Sequence, residues 1–220
     1  FNTSLGYASL SANTTAEMNS AIGRTALQSN TTGANNTAVG GQALQTNTTA
    51  ANNTAVGFGS LVQNTTGPNA TAVGKSALAA NTTGTENTSV GTISMQSNTT
   101  GGNNTALGYS ALSSNVSAAA LVAVGGYALT NSTGADNTAC GYYAGQSNTS
   151  GTGNTMLGYQ AQASSATASN QVTLGAGNVG TLRCNVTSIS GLSDQRDKTD
   201  IVDSPYGLDF INTVRPVQFK

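Results

Sequence analysis

The sequence predicts an all-β protein, a parallel β-solenoid or β-roll built from seventeen-residue coils. Three observations lead to this prediction. A glycine that follows an apolar residue returns at a fixed spacing, each repeat carries two short apolar segments, and Asn, Thr and Gly separate those segments. A helix would not survive an NTTG or ANNT stretch in every repeat, because these residues favour turns.

The glycines set the period of the repeat. Each lies seventeen positions after the one before it, except that Gly141 follows Gly125 by sixteen. Disordered polar tracts do not keep such a register, so the low complexity of the chain indicates an ordered repeat. The glycines are Gly6, Gly23, Gly40, Gly57, Gly74, Gly91, Gly108, Gly125, Gly141, Gly158 and Gly175.

Two apolar positions recur in the coils, and we name them after the coil from Gly40 to Val56. Leu44 defines the leucine position and Val56 the valine position, and a small residue precedes each. We expect both positions to be short strands with buried side chains, including Cys140 at a valine position. The leucine position comprises Leu10, Leu27, Leu44, Leu61, Leu78, Met95, Leu112 and Leu129, and the valine position Ile22, Val39, Val56, Val73, Val90, Leu107, Val124, Cys140, Leu157 and Leu174.

Stacked coils of this kind predict a rod. Neighbouring coils lie about 4.8 Å apart, so ten coils give a length on the order of 50 Å. Asn side chains of successive coils then lie above one another and form ladders of amide hydrogen bonds. Because two large apolar residues per coil give a thin core, we expect three chains around a common axis to share it, as a homotrimer.

The repeat resembles the head repeats of trimeric autotransporter adhesins. In that family a segment close to "NTAVG" recurs in a left-handed parallel β-roll that packs as a trimer, although its repeats are generally shorter. The resemblance covers roughly residues 1–175, which we assign to the repeat region. It implies the same trimeric architecture for this chain.

The composition excludes several functions. Of the 220 residues only 7% are charged and the net charge is -1, so no basic surface exists to bind nucleic acid. The absence of His, with two distant cysteines, argues against a zinc site or a His-dependent nucleophile, and we expect no cofactor and no metal. No apolar run is long enough for insertion into a membrane.

The residues after the glycines vary, as in Tyr7, Phe58 and Tyr109, which indicates an exposed ridge whose aromatic side chains could contact a glycan or a receptor.

A different composition follows the repeats. Residues 176–192 have spaced apolar side chains and are expected to form a narrower neck. Five ionisable residues then fall within seven positions, from Asp194 to Asp200. Ser204 and Pro205 are a good helix start, and the helix that they begin has an apolar stripe. Residues 193–220 are therefore expected to begin an α+β domain.

This C-terminal segment resembles the opening of the endosialidase-type intramolecular chaperone domain of phage tail fibres and tailspikes. The resemblance rests on "LSDQRDKTDI" and "LDFINTVRPVQFK" and covers residues 191–220. It implies a domain that trimerises, directs the folding of the preceding fibre and then cleaves itself. Ser193 would be the nucleophile and Lys198 its base, with Arg196 and Asp197 in support. A Ser–Lys pair needs no His if the lysine is neutral when it accepts the proton. The cut is expected at Ser193–Asp194 or, alternatively, at Leu192–Ser193.

Taken together, the two resemblances imply a structural fibre protein for attachment to a host surface, as part of a phage tail fibre. Its expected partners are two further copies of itself, a host receptor or glycan, and other tail proteins of the virion. Coils that all look alike could slip by one repeat, and a C-terminal trimeric clamp would set their register. One alternative is a trimeric adhesin on a bacterial cell surface. Another is a tailspike that carries a glycan-degrading domain elsewhere.

Overall fold

The structure, a computed structural model, describes residues 1–179 and 181. Eleven strands of three residues, one per coil, form one parallel sheet in which each strand pairs with the next along the chain. The described residues contain no helix, so the prediction of an all-β parallel solenoid is confirmed. The strands are β1 (Thr3–Leu5), β2 (Ser20–Ile22), β3 (Thr37–Val39), β4 (Thr54–Val56), β5 (Thr71–Val73), β6 (Thr88–Val90), β7 (Thr105–Leu107), β8 (Val122–Val124), β9 (Thr138–Cys140), β10 (Thr155–Leu157) and β11 (Val172–Leu174).

The register of the sheet equals the repeat of the sequence. Between β3 and β4, Ala38 pairs with Ala55 and Val39 with Val56, which are residues one repeat apart. Ten steps of about 4.8 Å separate the first strand from the last, so the sheet is about 48 Å long. The compact unit that contains it spans Phe1–Gly180. Most of the predicted neck and all of the predicted chaperone domain lie outside the described residues.

Only glycine fits the position that sets the period. Gly74 has a φ of 134°, and a Cβ atom there would lie 2.6 Å from the carbonyl oxygen of Gly91 in the next coil. Any side chain would therefore force the two coils apart, besides adopting a backbone conformation that L-residues avoid. The recurring glycine thus follows from the close stacking of the backbones.

The strands place their middle residue inside the coil. In β4, Ala55 is fully buried, whereas Thr54 and Val56 point to the opposite face and stay partly exposed. The prediction that the valine position lies in the core is therefore wrong. Side chains alternate across a strand, and the narrow interior accepts the alanine rather than the valine.

The leucine position is buried as predicted, but it is not a strand. Leu44 has no exposed surface and lies in a turn with a φ of 50°, in the left-handed region. That conformation costs a non-glycine residue roughly 1–2 kcal/mol, and burial of a leucine side chain, worth about 1.5–3 kcal/mol, offsets it. The expectation of two strands per coil is wrong, because this tight turn closes the coil around the leucine.

Asparagine amides run through the interior as ladders, as predicted. Asn64 donates to Asn47 Oδ1 at 3.0 Å and receives a bond from Asn81 at 2.8 Å. A second column binds the backbone instead, since Asn36 Oδ1 accepts the N–H of Asn53 at 2.9 Å. Residues of both columns are buried, and these bonds satisfy polar groups that would otherwise be lost inside the coil.

The coil from Gly125 to Cys140 has sixteen residues, and the residue that it lacks belongs to an exposed turn. Thr133 donates its N–H to the carbonyl of Thr149, sixteen positions away, whereas Thr48 pairs in the same way with Thr65, seventeen positions away. The interior bond from the N–H of Asn154 to Asn137 Oδ1 keeps the usual spacing. The missing residue is therefore the second threonine of the turn, which is exposed in other coils, as at Thr49. The column of Asn137 continues through this coil, whereas Ser132 replaces the asparagine of the other column.

One coil fills its core in a different way. Gly145 stands at the leucine position, and Met156 replaces the alanine of strand β10. Met156 is fully buried, and a Cβ atom on Gly145 would lie 2.9 Å from its Cε atom. The long methionine, together with Leu129 Cδ2 at 2.7 Å from the same Cβ position, thus occupies the volume that leucine fills in coils such as that of Leu44.

Candidate functional site

The residues predicted to cleave the chain all lie outside the described residues. These residues are Ser193, Asp194, Arg196, Asp197 and Lys198. The autoproteolytic site therefore stays a prediction from the sequence. The described part of the chain presents two other surfaces with features of binding sites.

The first surface is the outward strand face, which we define as the first and third residues of β1 to β11. It combines a column of mostly threonines with the column of the valine position. Large apolar side chains remain exposed along it, with Leu107 exposed by 48% and Leu157 by 39%. Cys140 is exposed as well, contrary to the expectation that it would be buried. Rows of exposed apolar side chains are a common feature of surfaces that contact another molecule.

The ridge predicted after the glycines is confirmed as exposed. Tyr7, Phe58 and Tyr109 expose 77%, 56% and 49% of their surface. These side chains stand in one column of the rod, since each directly follows the glycine of its coil. The column is therefore accessible along its length, as a binding surface requires.

The second surface is a cluster that we call the tyrosine strip: Tyr109, Tyr127, Tyr142, Tyr143 and Tyr159. Its members occupy the two residues after the glycine in four successive coils. The rings of Tyr142 and Tyr159 are parallel within 6° with centroids 6.2 Å apart, and those of Tyr127 and Tyr143 are stacked at 4.9 Å. The sequence analysis missed this cluster, although comparison of the two positions after the glycine across all coils would have shown it.

The strip perturbs the ionisation of its two half-buried members. Burial raises the pKa of the Tyr127 phenol, and negative charge on Tyr109 and Tyr143 would raise it further. A side-chain hydrogen bond with Tyr142 is the main cause of the raised pKa of Tyr143, followed by burial. The phenols of Tyr127 and Tyr143 are therefore uncharged at physiological pH.

A polar cavity of about 530 Å³ adjoins the strip. Its polar lining comes from Asn131, Gln146, Ser147, Gln160 and Gln162, none of which carries a charge. Gln160 directly follows Tyr159, and its N–H donates to the carbonyl of Tyr142 at 3.0 Å. The cavity and the strip thus occupy the same coils, although no tyrosine side chain lines the cavity.

Two further features were sought in the described residues, a metal site and a membrane-spanning helix. Within residues 1–179 and 181 no group of His, Cys, Asp or Glu side chains is placed to hold a metal ion. In the same part of the chain there is no helix long and apolar enough to cross a membrane. Comparisons with protein-family models, with curated proteins and with solved structures found no match for the chain. Arguments about function therefore rest on the two surfaces and on the sequence.

Proposed function

We propose that this chain is the shaft of a homotrimeric attachment fibre of the phage tail-fibre type, with a folding chaperone at its C-terminal end. The observation that carries the proposal is the outward strand face, an apolar and threonine-rich surface that follows the whole length of a narrow rod. The same rod would serve a trimeric adhesin on a bacterial cell. The outward strand face therefore supports the role of a trimeric shaft, and the assignment to a phage rather than to a cell surface rests on the sequence of the C-terminal segment.

The outward strand face suits contact with identical chains. No residue of β1 to β11 is charged, and half-buried or exposed valine, leucine and isoleucine side chains recur at every step of the sheet except β9, which has Cys140. In a parallel trimer with this face turned towards the three-fold axis, side chains near the axis would meet their own copies at the same height of the rod. An uncharged, repeating surface of this form supports packing of the rod against copies of itself.

The buried interior of the coil bears on why a trimer would form. The sequence analysis expected three chains to share the leucine and valine positions as one core. In the structure each chain buries its own alanines, leucines and asparagines, so the coil has a core without partners. Trimer formation would instead cover the valine column, and its contribution to stability would come from that outer contact.

A C-terminal chaperone has a clear physical purpose in such a fibre. Slippage of one chain by a whole coil leaves nearly every contact of the rod in place, because successive coils present the same side chains. A trimeric domain at residues 193–220 would fix the register first, and autocleavage by Ser193 with Lys198 as base would then release it. The finished rod would remain locked by a slow unfolding rate.

The oligomeric state of the full chain tests the proposal. Native mass spectrometry and light scattering are expected to show a trimer. Val56→Lys places a charge on the outward strand face and is expected to give monomers that keep the β circular dichroism signal. Asn52→Lys is the matched control, because Asn52 is exposed in a turn of the same coil. A monomeric wild type, or two variants that behave alike, would contradict the proposal.

Attachment is tested separately by binding to cells. Fluorescently labelled protein is incubated with a panel of bacterial strains and measured by flow cytometry. The trimer is expected to bind a subset of strains, and the Val56→Lys monomer is expected to bind them at least tenfold more weakly because it loses multivalent contact. Absence of binding to every strain, or equal binding by trimer and monomer, would count against an attachment role.

A further inference from the structure

Aromatic side chains are concentrated at one end of the rod. The chain has seven tyrosines, and five of them form the tyrosine strip within the coils that start at Gly108, Gly125, Gly141 and Gly158. The earlier coils place unrelated residues at the same positions, including Arg24 and Lys75. Aromatic residues are not needed to build a coil, so their concentration here calls for a separate explanation.

The backbone makes room for flat, exposed rings. A Cβ atom on Gly126 would lie 3.1 Å from Cδ2 of Tyr142, so the Tyr142 ring lies over the glycine. Tyr142 and Tyr159 expose 47% and 60% of their surface, and their rings are parallel. Below them, the half-buried Tyr127 and Tyr143 support the strip through edge and stacked contacts. The result is a packed aromatic platform in which Tyr142 and Tyr159 each keep about half of their surface exposed.

The adjoining cavity supplies neutral hydrogen-bonding groups. The Gln162 amide is held in place, since it donates to the Tyr143 carbonyl at 2.6 Å and accepts from the Ser147 hydroxyl at 2.7 Å. The side-chain amides of Gln146 and Gln160 have no hydrogen-bond partner among the described residues. Each amide offers both a donor and an acceptor to a ligand.

The charge of this region restricts the ligand. Residues 101–179 contain no Lys and no Arg, and Asp136 is their single acidic residue. Anionic ligands and single-stranded nucleic acids require cationic side chains beside the aromatic platform, so this surface does not suit them. A ligand that matches it is uncharged, has an apolar face to lie against a ring, and has hydroxyl groups to exchange hydrogen bonds with amides. Neutral sugars have this combination of properties.

We infer that the tyrosine strip and the adjoining amide cavity form a binding site for a neutral glycan. Pyranose rings would lie against Tyr142 and Tyr159, while Gln146 and Gln160 would bind the hydroxyls of the next sugar units. The volume of about 530 Å³ falls in the range of sites that hold small ligands. The inference rests on the proposed attachment function and deepens it by naming the class of receptor and the coils that bind it.

Binding to a glycan array tests the site in the full chain. The probes are immobilised neutral oligosaccharides of glucose, galactose, mannose and N-acetylglucosamine, with sialylated oligosaccharides as charged comparators. Wild-type protein is expected to bind a subset of the neutral probes and none of the sialylated ones. Tyr142→Ala and Gln160→Ala are expected to weaken that binding by about tenfold or more, since each removes a contact of the platform or of the cavity.

Phe58→Ala is the matched control. Phe58 is an exposed aromatic residue at the same coil position as Tyr142 and Tyr159, but it lies in an earlier coil. Its substitution is expected to leave glycan binding unchanged. Equal losses in Phe58→Ala and Tyr142→Ala, or failure of the wild type to bind any neutral probe, would overturn the site.

Native mass spectra of the same variants separate this inference from the proposed function. The tyrosine variants are expected to keep the oligomeric state of the wild type. If Tyr142→Ala instead dissociates the protein, the strip is a contact between chains and the glycan site is refuted, while the fibre proposal stands. If Val56→Lys leaves the oligomer intact and the tyrosine variants abolish glycan binding, the site stands and the proposed packing of the fibre fails.

Discussion

Replacement of one interior asparagine tests whether the amide ladders stabilise the rod. Asn81 is fully buried. Its Nδ2 atom donates to Asn64 Oδ1 at 2.8 Å and to the Gly84 carbonyl at 3.0 Å, and its Oδ1 atom accepts from Asn98 at 3.0 Å. Asn81→Ala removes all three bonds. It leaves the Asn64 oxygen and the Gly84 carbonyl buried without this donor.

The size of the effect follows from those two groups. A buried polar group that loses its partner costs about 1–3 kcal/mol, so Asn81→Ala is expected to destabilise its coil by about 2–6 kcal/mol. Because 1.4 kcal/mol corresponds to a factor of ten, amide hydrogens near the substitution should exchange about thirtyfold to 10⁴-fold faster. The effect should be confined to nearby coils, since each coil of a solenoid contacts only its neighbours.

Hydrogen exchange followed by mass spectrometry measures this local change. The control is Asn52→Ala, because Asn52 belongs to a ladder on the surface and donates to Asn69 Oδ1 at 3.2 Å. Alanine fits the left-handed conformation of that position, as Ala120 has a φ of 56° at the equivalent place. Water replaces the lost bonds there, so the expected change is about 1 kcal/mol. Equal exchange rates in the two variants would refute the argument that burial makes the interior ladder important.

Three further predictions concern the glycine position, the coil that contains Gly145 and Met156, and the C-terminal segment. Gly74→Ala is expected to unfold its coil or lower the melting temperature sharply, because the new Cβ would lie 2.6 Å from the Gly91 carbonyl oxygen. Gly41→Ala is the control, since its Cβ would contact only the Phe58 ring. Thermal melting followed by circular dichroism is expected to show Gly41→Ala melting like the wild type. Gly145→Leu alone overpacks the core against Met156 and is expected to destabilise the protein by roughly 1–3 kcal/mol. Adding Met156→Ala restores the usual leucine and alanine pair and should recover that loss. A double-mutant cycle measured by denaturant unfolding tests this. Absence of coupling between the two substitutions would show that the two side chains do not compete for one volume. Intact mass of denatured wild-type protein is expected to show chains that end near Ser193, whereas Ser193→Ala stays uncut; cleavage at the same bond in both proteins, or in neither, would contradict the assignment of Ser193 and Lys198.

The sequence alone predicted the repeating features of the fold. A glycine at a constant interval, with turn residues between short apolar segments, was enough to predict a parallel all-β solenoid. The strand register and the interior amide ladders followed from the same period. These features were predictable because a stacked coil imposes the same requirement on equivalent residues. Gly74, which contacts the backbone of the next coil, shows that requirement directly.

The tertiary structure decided which side of the coil each residue faces. A strand of three residues such as Thr54–Val56 has too few positions to show which face is buried, and only the closure of the coil places Ala55 inside and Val56 outside. The left-handed turn at Leu44 likewise depends on a buried contact that compensates for an unfavourable backbone conformation. The tyrosine strip gathers side chains that are mostly about one repeat apart in the chain, because residues of successive coils become neighbours only when the coils stack. The period and the strand register are thus properties of the repeat. Which side chains are buried, which are exposed and which cluster together depends on how the chain closes into coils and how the coils stack.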